Sequence, residues 1–538
     1  MRQCHVPLIL SLFFPCLLPC ASAAQCEIGT IDGVGARSVG VSGERVLLGV
    51  PADVPGPFAT GAAFVYEPVA LAWVQQAAIN HSSAASSDFF GQSVALAGDT
   101  ALVGMPLSIF CPSPFLCVNP EAAFVFERGG GGWVQTAMLV PGDASPPPSS
   151  KGDVGDQFGL AVDLTLAADR ALVGAPNSDQ GAPDSGAAYV FEPVGPGWTE
   201  TFKLVPADGA AQDHFGGAVS VSGTTALVGA SGDDDGGADS GSAYVFDQAG
   251  PAWAESAKLT PSGAAAGDSF GAAVALSGTT ALVGAPGRDA AFVFEDTPGG
   301  WVQTAVLTGL DTAAGDELGC AVALFGDTAL VGARLDGDAG AGSGSAYVFT
   351  RSGSTWNQTA KLTASDAAAG DQFGSSVALS GDRAAVTAPA GQKTYLFSVS
   401  GTAFASLDGS PGSISLAAGG TQALTLQTCA ALGGDFYFLL GSASGTAPGI
   451  LHDGLVVPLN PDAYFTFTLT SPNTAPLAGS FGVLDSAGGA SASFGIPAGT
   501  SPALAGLTVN HAYVVLLSAP GSLGLAFVSN PAPLSLGP

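Results

Sequence analysis

One pattern of apolar and polar positions recurs along most of the chain. Its clearest copies read DFFGQSVALAGDTALVGMP (88–106), DHFGGAVSVSGTTALVGAS (213–231), DSFGAAVALSGTTALVGAP (268–286), DELGCAVALFGDTALVGAR (316–334) and DQFGSSVALSGDRAAVTAP (371–389). A longer copy covers 156–176, and a degenerate first copy occupies about 32–51. Within each copy two short apolar runs flank an SGDT-like turn, which predicts a hairpin. Each copy continues into a third run, AAFVYE (62–67), AAFVFE (122–127), AAYVFE (187–192), SAYVFD (242–247), AAFVFE (290–295), SAYVFT (345–350) and KTYLFS (393–398). A fourth run of the WVQTAML type separates consecutive copies and holds all six tryptophans, Trp73, Trp133, Trp198, Trp253, Trp301 and Trp356.

The unit is thus about 55 residues with four short strands, repeated seven times. That is long for a β-solenoid and short for an independent sandwich. It predicts an all-β fold, a seven-bladed β-propeller over 25–400, in which each small sheet buries both faces against its neighbours. The first unit has no Trp run before it and the last has none after it, so closing the ring requires a strand from elsewhere. Residues 401–407, containing TAFASL, are the expected closing strand, paired with the first blade.

From about 408 the register changes. Trp disappears, and the runs SISLAAG, TQALTLQ, DFYFLLGS, DAYFTFTLT, SFGVLDS, GASASFGI, HAYVVLLS and LGLAFVSN are separated by Gly, Pro and Ser. Seven or eight strands in this length predict a C-terminal β-sandwich over 401–538.

Charge narrows the functional classes. Lys plus Arg number 14 against 44 for Asp plus Glu in 538 residues, a formal net charge of -30. Nucleic acid is excluded as a partner, because phosphate binding needs clustered positive charge. The start of the chain, with Arg2, an apolar stretch from Val6 to Leu18 and Ala21-Ser22-Ala23-Ala24, reads as a signal peptide over 1–24. It is too short to cross a bilayer comfortably, and no later segment resembles a transmembrane span. A secreted or cell-surface location follows. Cysteine usage fits that compartment: Cys111 and Cys117 bracket a Pro-rich insertion and are the preferred disulfide pair, while Cys320 lies in an apolar run as a core residue. Five cysteines follow the leader, an odd number, and they include Cys26 and Cys429.

The units resemble the FG-GAP repeats of integrin alpha chains and of many secreted bacterial proteins. The resemblance rests on Phe90-Gly91, Phe158-Gly159, Phe215-Gly216, Phe270-Gly271 and Phe373-Gly374, with Leu318-Gly319 a departure, and on Gly-Ala-Pro at 174–176 and 284–286. It implies a propeller that serves as an adhesion surface, a structural module or, in some members, an enzyme scaffold. The C-terminal segment resembles tails of secreted proteins from planctomycete-type bacteria.

The integrin resemblance also implies structural calcium, held there by D-x-D-x-D-G-x-x-D loops. Ser231, Asp233, Asp235, Gly236 and Asp239 reproduce that spacing except at the first position, and alternating oxygen ligands around a glycine turn suit a hard cation. The third unit offers Asn177, Asp179 and Asp184, and the sixth Asp336 and Asp338 with Gly342 where Asp239 would stand. Solvated acidic turns are the plain alternative.

No catalytic residue and no other cofactor is expected. The repeat-start aspartates Asp88, Asp156, Asp213, Asp268, Asp316 and Asp371 recur as turn caps do. Gly267-Asp268-Ser269-Phe270-Gly271 matches a hydrolase elbow, but Ser269 occupies the position held by His214, Glu317 and Gln372 in other copies. The histidines His81, His214, His452 and His511 are scattered. Asn80 and Asn357 begin glycosylation-type triplets. The expected function is that of a noncatalytic, exported, monomeric propeller that binds a surface protein or glycan, with residues 107–121 as the best single contact loop. A secreted enzyme or a polysaccharide-binding protein on the same scaffold is the alternative.

Overall fold

The computed structural model describes residues 26–51, 61–69, 72–81, 89–106, 121–143, 155–399 apart from 180 and 196, and 406–537 apart from 411–412, 428–435, 445, 447–449, 453–454, 458, 485–488, 520–521 and 529–531. Two compact units divide it, one of Gly29–Phe397 and one that takes up Ser398–Pro538. The expected signal peptide at 1–24, the 107–120 insertion with Cys111 and Cys117, and Cys429 lie outside the described residues.

In the first unit the four runs of each repeat fold in chain order into an antiparallel four-stranded sheet. In the fourth sheet these strands are Ala218–Ser222, Thr225–Ala230, Ser242–Ala249 and Ala252–Leu259. The predicted hairpin is present, with Ser222 opposite Thr225 across Gly223, which adopts φ +58 where a side chain would be strained. Sheets of the same form start at Ser38, Val94, Val162, Ala273 and Leu318. A seventh holds Val377–Ser380, Arg383–Ala388 and Lys393–Ser398.

Repeated four-stranded sheets of this kind make a β-propeller. The first strand of each sheet lies beside the first strand of the next, and Val377–Ser380 lies beside Ser38–Ser42. One linking bond recurs between neighbours: Gly98 N donates to Ser42 Oγ at 2.9 Å, Gly278 N to Ser222 Oγ at 3.1 Å and Gly326 N to Ser277 Oγ at 3.1 Å. Gly43 N donates to Ser380 Oγ at 3.2 Å, so the last sheet meets the first as other sheets meet their successors.

The strand that completes the seventh sheet is not the expected one. Cys26–Asp32 pairs with Lys393–Ser398 as its outer strand, whereas Ser406–Ser410 pairs with Gly420–Gln427 in the second unit. Because the Trp strand is the last of each sheet, the deficit falls on the seventh sheet and not on the first. Ile31, buried at 3% exposure, anchors the added strand.

The interfaces between sheets explain the Phe-Gly pairs. Phe215 is fully buried, stands edge-on to Tyr244 and Phe246 at 5.5 and 5.9 Å, and packs with Leu172, Ala188 and Val190 of the preceding sheet. Glycine is required by contact on both sides: a Cβ on Gly216 would stand 2.3 Å from the Ala187 carbonyl oxygen, and one on Gly174 2.0 Å from the carbonyl oxygen of Gly216. Leu318 is buried in the same place as the phenylalanines, which accounts for the departure in the sixth copy. Trp253 and Trp356 are buried and the other tryptophans partly so, as packing residues of the outer strands.

The second unit is also almost entirely β. One sheet orders Ser406–Ser410, Gly420–Gln427, Gly489–Ile496 and Leu477–Ala478, and another Ser413–Ser415, Ala532–Gly537, Thr508–Ala519, Phe436–Ser442 and Phe481–Val483. Leu424, Leu426 and Phe494 of the first share a core with Leu439, Tyr513 and Val515 of the second. The run DAYFTFTLT departs from expectation, forming the helix Ala463–Thr470. Its alternating pattern reads as a strand, but Asp462 Oδ1 accepts from Phe465 N at 2.7 Å as an N-cap. The other oxygen of Asp462 accepts from Ala443 N and Ser444 N at 2.7 and 2.8 Å, pinning the cap to the neighbouring strand end.

Gly284→Ala would put a Cβ 2.0 Å from the Gly319 carbonyl oxygen. It is expected to cost about 1–3 kcal/mol in denaturant unfolding, while Gly299→Ala, in open space, stays within about 0.5 kcal/mol. Ile31→Ala is expected to cost about 2–4 kcal/mol, measured in the same way, because the closing strand loses its buried side chain.

Candidate functional site

The acidic loops leave the fourth and sixth sheets between their second and third strands. At Ser231–Asp239 the turn after Ala230 points Asp233 inward, with its side chain 5% exposed. Asp233 Oδ1 accepts from Asp235 N at 3.0 Å, closing a local turn. The other carboxylate oxygen lies 2.8 Å from Lys258 Nζ. Lys258 stands on the Trp strand directly opposite Tyr244. Its ammonium also meets Asp235 Oδ2 at 2.7 Å and Asp208 Oδ2 at 2.7 Å. Asp208 arrives from the link that leaves the third sheet. Tyr244 completes the cluster, its hydroxyl 2.8 Å from Asp233 Oδ2 and 2.9 Å from Asp208 Oδ1.

The sixth sheet repeats this arrangement. Lys361 Nζ lies 2.9 Å from Asp311, 2.9 Å from Asp336 and 2.7 Å from Asp338, and the Tyr347 hydroxyl lies 2.9 Å from both Asp311 and Asp336. Burial alone would raise the carboxyl pKa of Asp233 and Asp336, but the lysine ammonium, a backbone N–H and the tyrosine hydroxyl hold both below the ordinary carboxylate value. Burial works against the charge on Lys258 and Lys361, and the surrounding carboxylates outweigh it, raising both.

The repeat signature is matched by the FG-GAP repeat family model at residues 73–109, 133–191, 198–246, 253–295, 301–349 and 356–405. The chain belongs to the FG-GAP repeat family. No curated protein matches it. Solved structures similar in fold include a protein from Lactobacillus plantarum, 14% identical over 61% of this chain and 85% of that one, with a TM-score of 0.39. Sqt1 of Saccharomyces cerevisiae is 10% identical over 69% and 88%, with a TM-score of 0.39. The WD40 domain of Toxoplasma gondii coronin is 9% identical over 70% and 84%, with a TM-score of 0.38.

Within the FG-GAP repeats, the residues singled out by spacing divide into two groups. Asp233, Asp235, Asp336 and Asp338 do converge, and the point on which they converge is a lysine nitrogen. Ser231, half-buried, opens the turn. Asp239 and Asp184 serve through their backbone: both adopt left-handed φ of +52 and +53, and their carbonyls accept from Ser269 N at 3.0 Å and His214 N at 3.2 Å of the next repeat. Gly342 has φ +63 and accepts from Gln372 N at 3.1 Å, so it fills the same turn position. Aspartate and glycine interchange there because both tolerate this backbone.

In the third repeat the register differs from the one the spacing suggested. Ser178, fully buried, accepts from Gly186 N through its carbonyl at 2.9 Å just as Asp233 accepts from Gly241 N at 2.8 Å. Asn177 and Asp179 therefore flank the inward position. Asp179 Oδ1 accepts from Asp184 N at 3.0 Å. Among the described residues only Asp143 pairs with Lys203, and the Tyr189 hydroxyl bonds it at 3.0 Å.

Sequence spacing missed Lys258, Lys361, Tyr244, Tyr347, Asp208 and Asp311. A signal was present in the repeats themselves. Where the third strand reads AYVF, its cross-strand partner is lysine, as in Tyr189 with Lys203, Tyr244 with Lys258 and Tyr347 with Lys361. Where it reads AFV, the partner is apolar: Phe64 with Ala78, Phe124 with Met138 and Phe292 with Val306.

The remaining candidates have structural places. Asp213, Asp268, Asp316 and Asp371 each accept through Oδ2 from the N–H three residues earlier, at 2.6 to 2.9 Å, capping the turn before the Phe-Gly pair. Ser269 and His214 sit at left-handed turn positions, with φ of +53 and +55. His81 lies between Phe90 and Phe124, with ring centroids at 5.1 and 5.0 Å. His511 is buried in the second unit against the Tyr464 hydroxyl at 2.9 Å, and burial lowers its pKa to about 4. Cys320 is half-buried, its Sγ 3.6 Å from the carbonyls of Gly332 and Gly374, and burial pushes its thiol up to about 11.

A carboxyl held below its unfolded value stabilises the fold above that value, about pH 4, and the contribution is lost as pH falls through the folded value. The difference in Tm between the parent and Lys361→Met is therefore expected to be full at pH 7 and to shrink below about pH 4. Melting curves across pH check this.

Proposed function

We propose that this chain is an exported seven-bladed FG-GAP propeller without catalytic activity, which presents its loops as a binding surface for a surface protein or glycan. The C-terminal unit, on this reading, is a β-sandwich carried behind it. The observation that carries the proposal is the contrast between what repeats and what varies. The polar groups of the repeats are spent inside the fold: aspartates cap turns, lysines neutralise aspartates, and Arg45 is tied to Glu67 at 2.6 Å, Asp99 at 2.6 Å and the Gly98 carbonyl at 2.7 Å. The loops between second and third strands instead run from 106 to 121 in one repeat and from 286 to 289 in another. A rigid ring with unequal loops suits recognition.

Export is supported by the leader-like start and the acidic composition, and a monomer is the simplest assembly. Among the described residues no helix is long and apolar enough to cross a membrane.

Retention of the immobilised full chain on a cell-surface extract, lost when that extract is treated with protease, is the expected outcome. Retention on purified cell-wall glycans would move the reading to a polysaccharide binder, and turnover of a glycan or ester substrate panel would overturn it. Intact mass of the exported protein is expected to begin near Gln25.

A further inference from the structure

The FG-GAP resemblance implies calcium in the acidic loops, and the residues here do not fit it. Lys258 Nζ stands 2.7 to 2.8 Å from oxygens of Asp208, Asp233 and Asp235, where a cation would have to sit to share those ligands. A calcium ion takes oxygens at about 2.3–2.6 Å and cannot share the spot with an ammonium of like charge. We propose that Lys258 and Lys361 are the resident cations of these loops, so that this propeller is held together without calcium.

Among the three carboxylates that each lysine contacts, one is deeply buried. Asp233 is the only deeply buried carboxylate of its cluster, with 5% of its side chain exposed, while Asp208 and Asp235 are 46% and 71% exposed and solvated by water. The sixth sheet gives the same count, with Asp336 at 2% against 47% and 63% for Asp311 and Asp338. Asp213 and Asp316, also buried, lie in the field of the same lysines but are held by the N–H groups of Ala210 and Ala313. A divalent ion would first have to displace the lysine from the tyrosine face, where Nζ lies 5.1 Å from the ring centroid in both sheets.

The repeats supply a second, independent observation. Lysine, tyrosine and a linking aspartate occur together in the third, fourth and sixth sheets. In the fifth sheet all three are replaced: Phe292 faces Val306, the link carries Ser262 and Gly263, and Arg288 donates to their carbonyls at 3.2 and 3.0 Å while lying over the Phe292 ring. Its short loop has no counterpart of Asp233. Among the described loops the buried acid occurs only where the lysine does, and the third sheet keeps the lysine with Ser178 at that position.

The ammonium also joins neighbours. Asp208 belongs to the link from the third sheet, whereas Asp233, Tyr244 and Lys258 belong to the fourth. A covalently tethered cation therefore takes over the cross-linking that a bound ion would give.

The test uses the full chain in EGTA, then with calcium, with magnesium as control, and reads Tm together with metal content after dialysis. The parent is expected to hold no calcium and to melt at the same temperature in all three. Lys258→Met is expected to lower Tm by roughly 3–6 °C, with part of the loss recovered when Asp233→Asn is added. A calcium-specific rise in the parent's Tm, calcium retained by the parent through dialysis, or an unchanged Tm in Lys258→Met would each overturn the proposal. Should Lys258→Met fail to fold, the parent's metal content and response to EGTA still decide.

Discussion

The propeller depends on a close approach of backbone to backbone between sheets. The carbonyl oxygen of Gly216 lies where a Cβ on Gly174 would be, and the carbonyl of Gly271 where one on Gly229 would be. This contact sets how near consecutive sheets come, and the other interfacial features are arranged around it. The preceding phenylalanine fills the wedge beside it, and its own main chain bridges to a glycine of the preceding sheet, as Phe215 does to Gly186 and Phe270 to Gly241. Packing at interior density tolerates no extra methyl group at such a point. The repeat is therefore legible as Phe-Gly and Val-Gly-Ala because two separate glycines must meet.

A chain with a net charge of -30 also has to keep its carboxylates from opposing collapse. Exposed aspartates manage this by solvation, but each buried one needs a donor. Turn caps such as Asp213 and Asp268 use backbone N–H groups, and Asp233 and Asp336 use lysine. The two devices differ in reach. A cap stabilises its own turn, while the lysine ties a link, a loop and a strand from two adjacent sheets.

Much of this was readable in the sequence, for a physical reason. A strand buried on both faces and repeated at fixed spacing leaves an apolar pattern that needs no partner to be recognised, which is why the hairpins and the four-strand unit were legible. Ring closure was less so, because CEIGTID carries no tryptophan and nothing in its pattern says which sheet it completes. The helix Ala463–Thr470 was hidden by an alternation that Asp462 overrides through contacts with residues some twenty positions away. The acidic loops misled in a different way. Their spacing is that of metal ligands, yet Asp239 and Asp184 are present for their backbone conformation, and the partner of Asp233 lies on a strand beyond the loop.

That last misreading has a general cause. Spacing within one loop reports the ligands a loop can offer, but not what the rest of the fold brings to them. Lys258 reaches the loop because the cross-strand pair with Tyr244 fixes its position on the edge strand, and the bulge between Val245 and Phe246 sets the register of that pair. The same bulge recurs in the sheets where the partner is Met138 or Val306, so the scaffold that aims the side chain is present whether or not the side chain is charged. Exchanging Phe with an apolar partner for Tyr with lysine therefore needs no change of backbone. The lysine then partners an aspartate of the preceding link, and in the fourth and sixth sheets one buried in the loop as well. The lysine, the tyrosine and the linking aspartate vary as one set spread over two sheets, and the set is visible only when the repeats are compared position by position across the strand pairs.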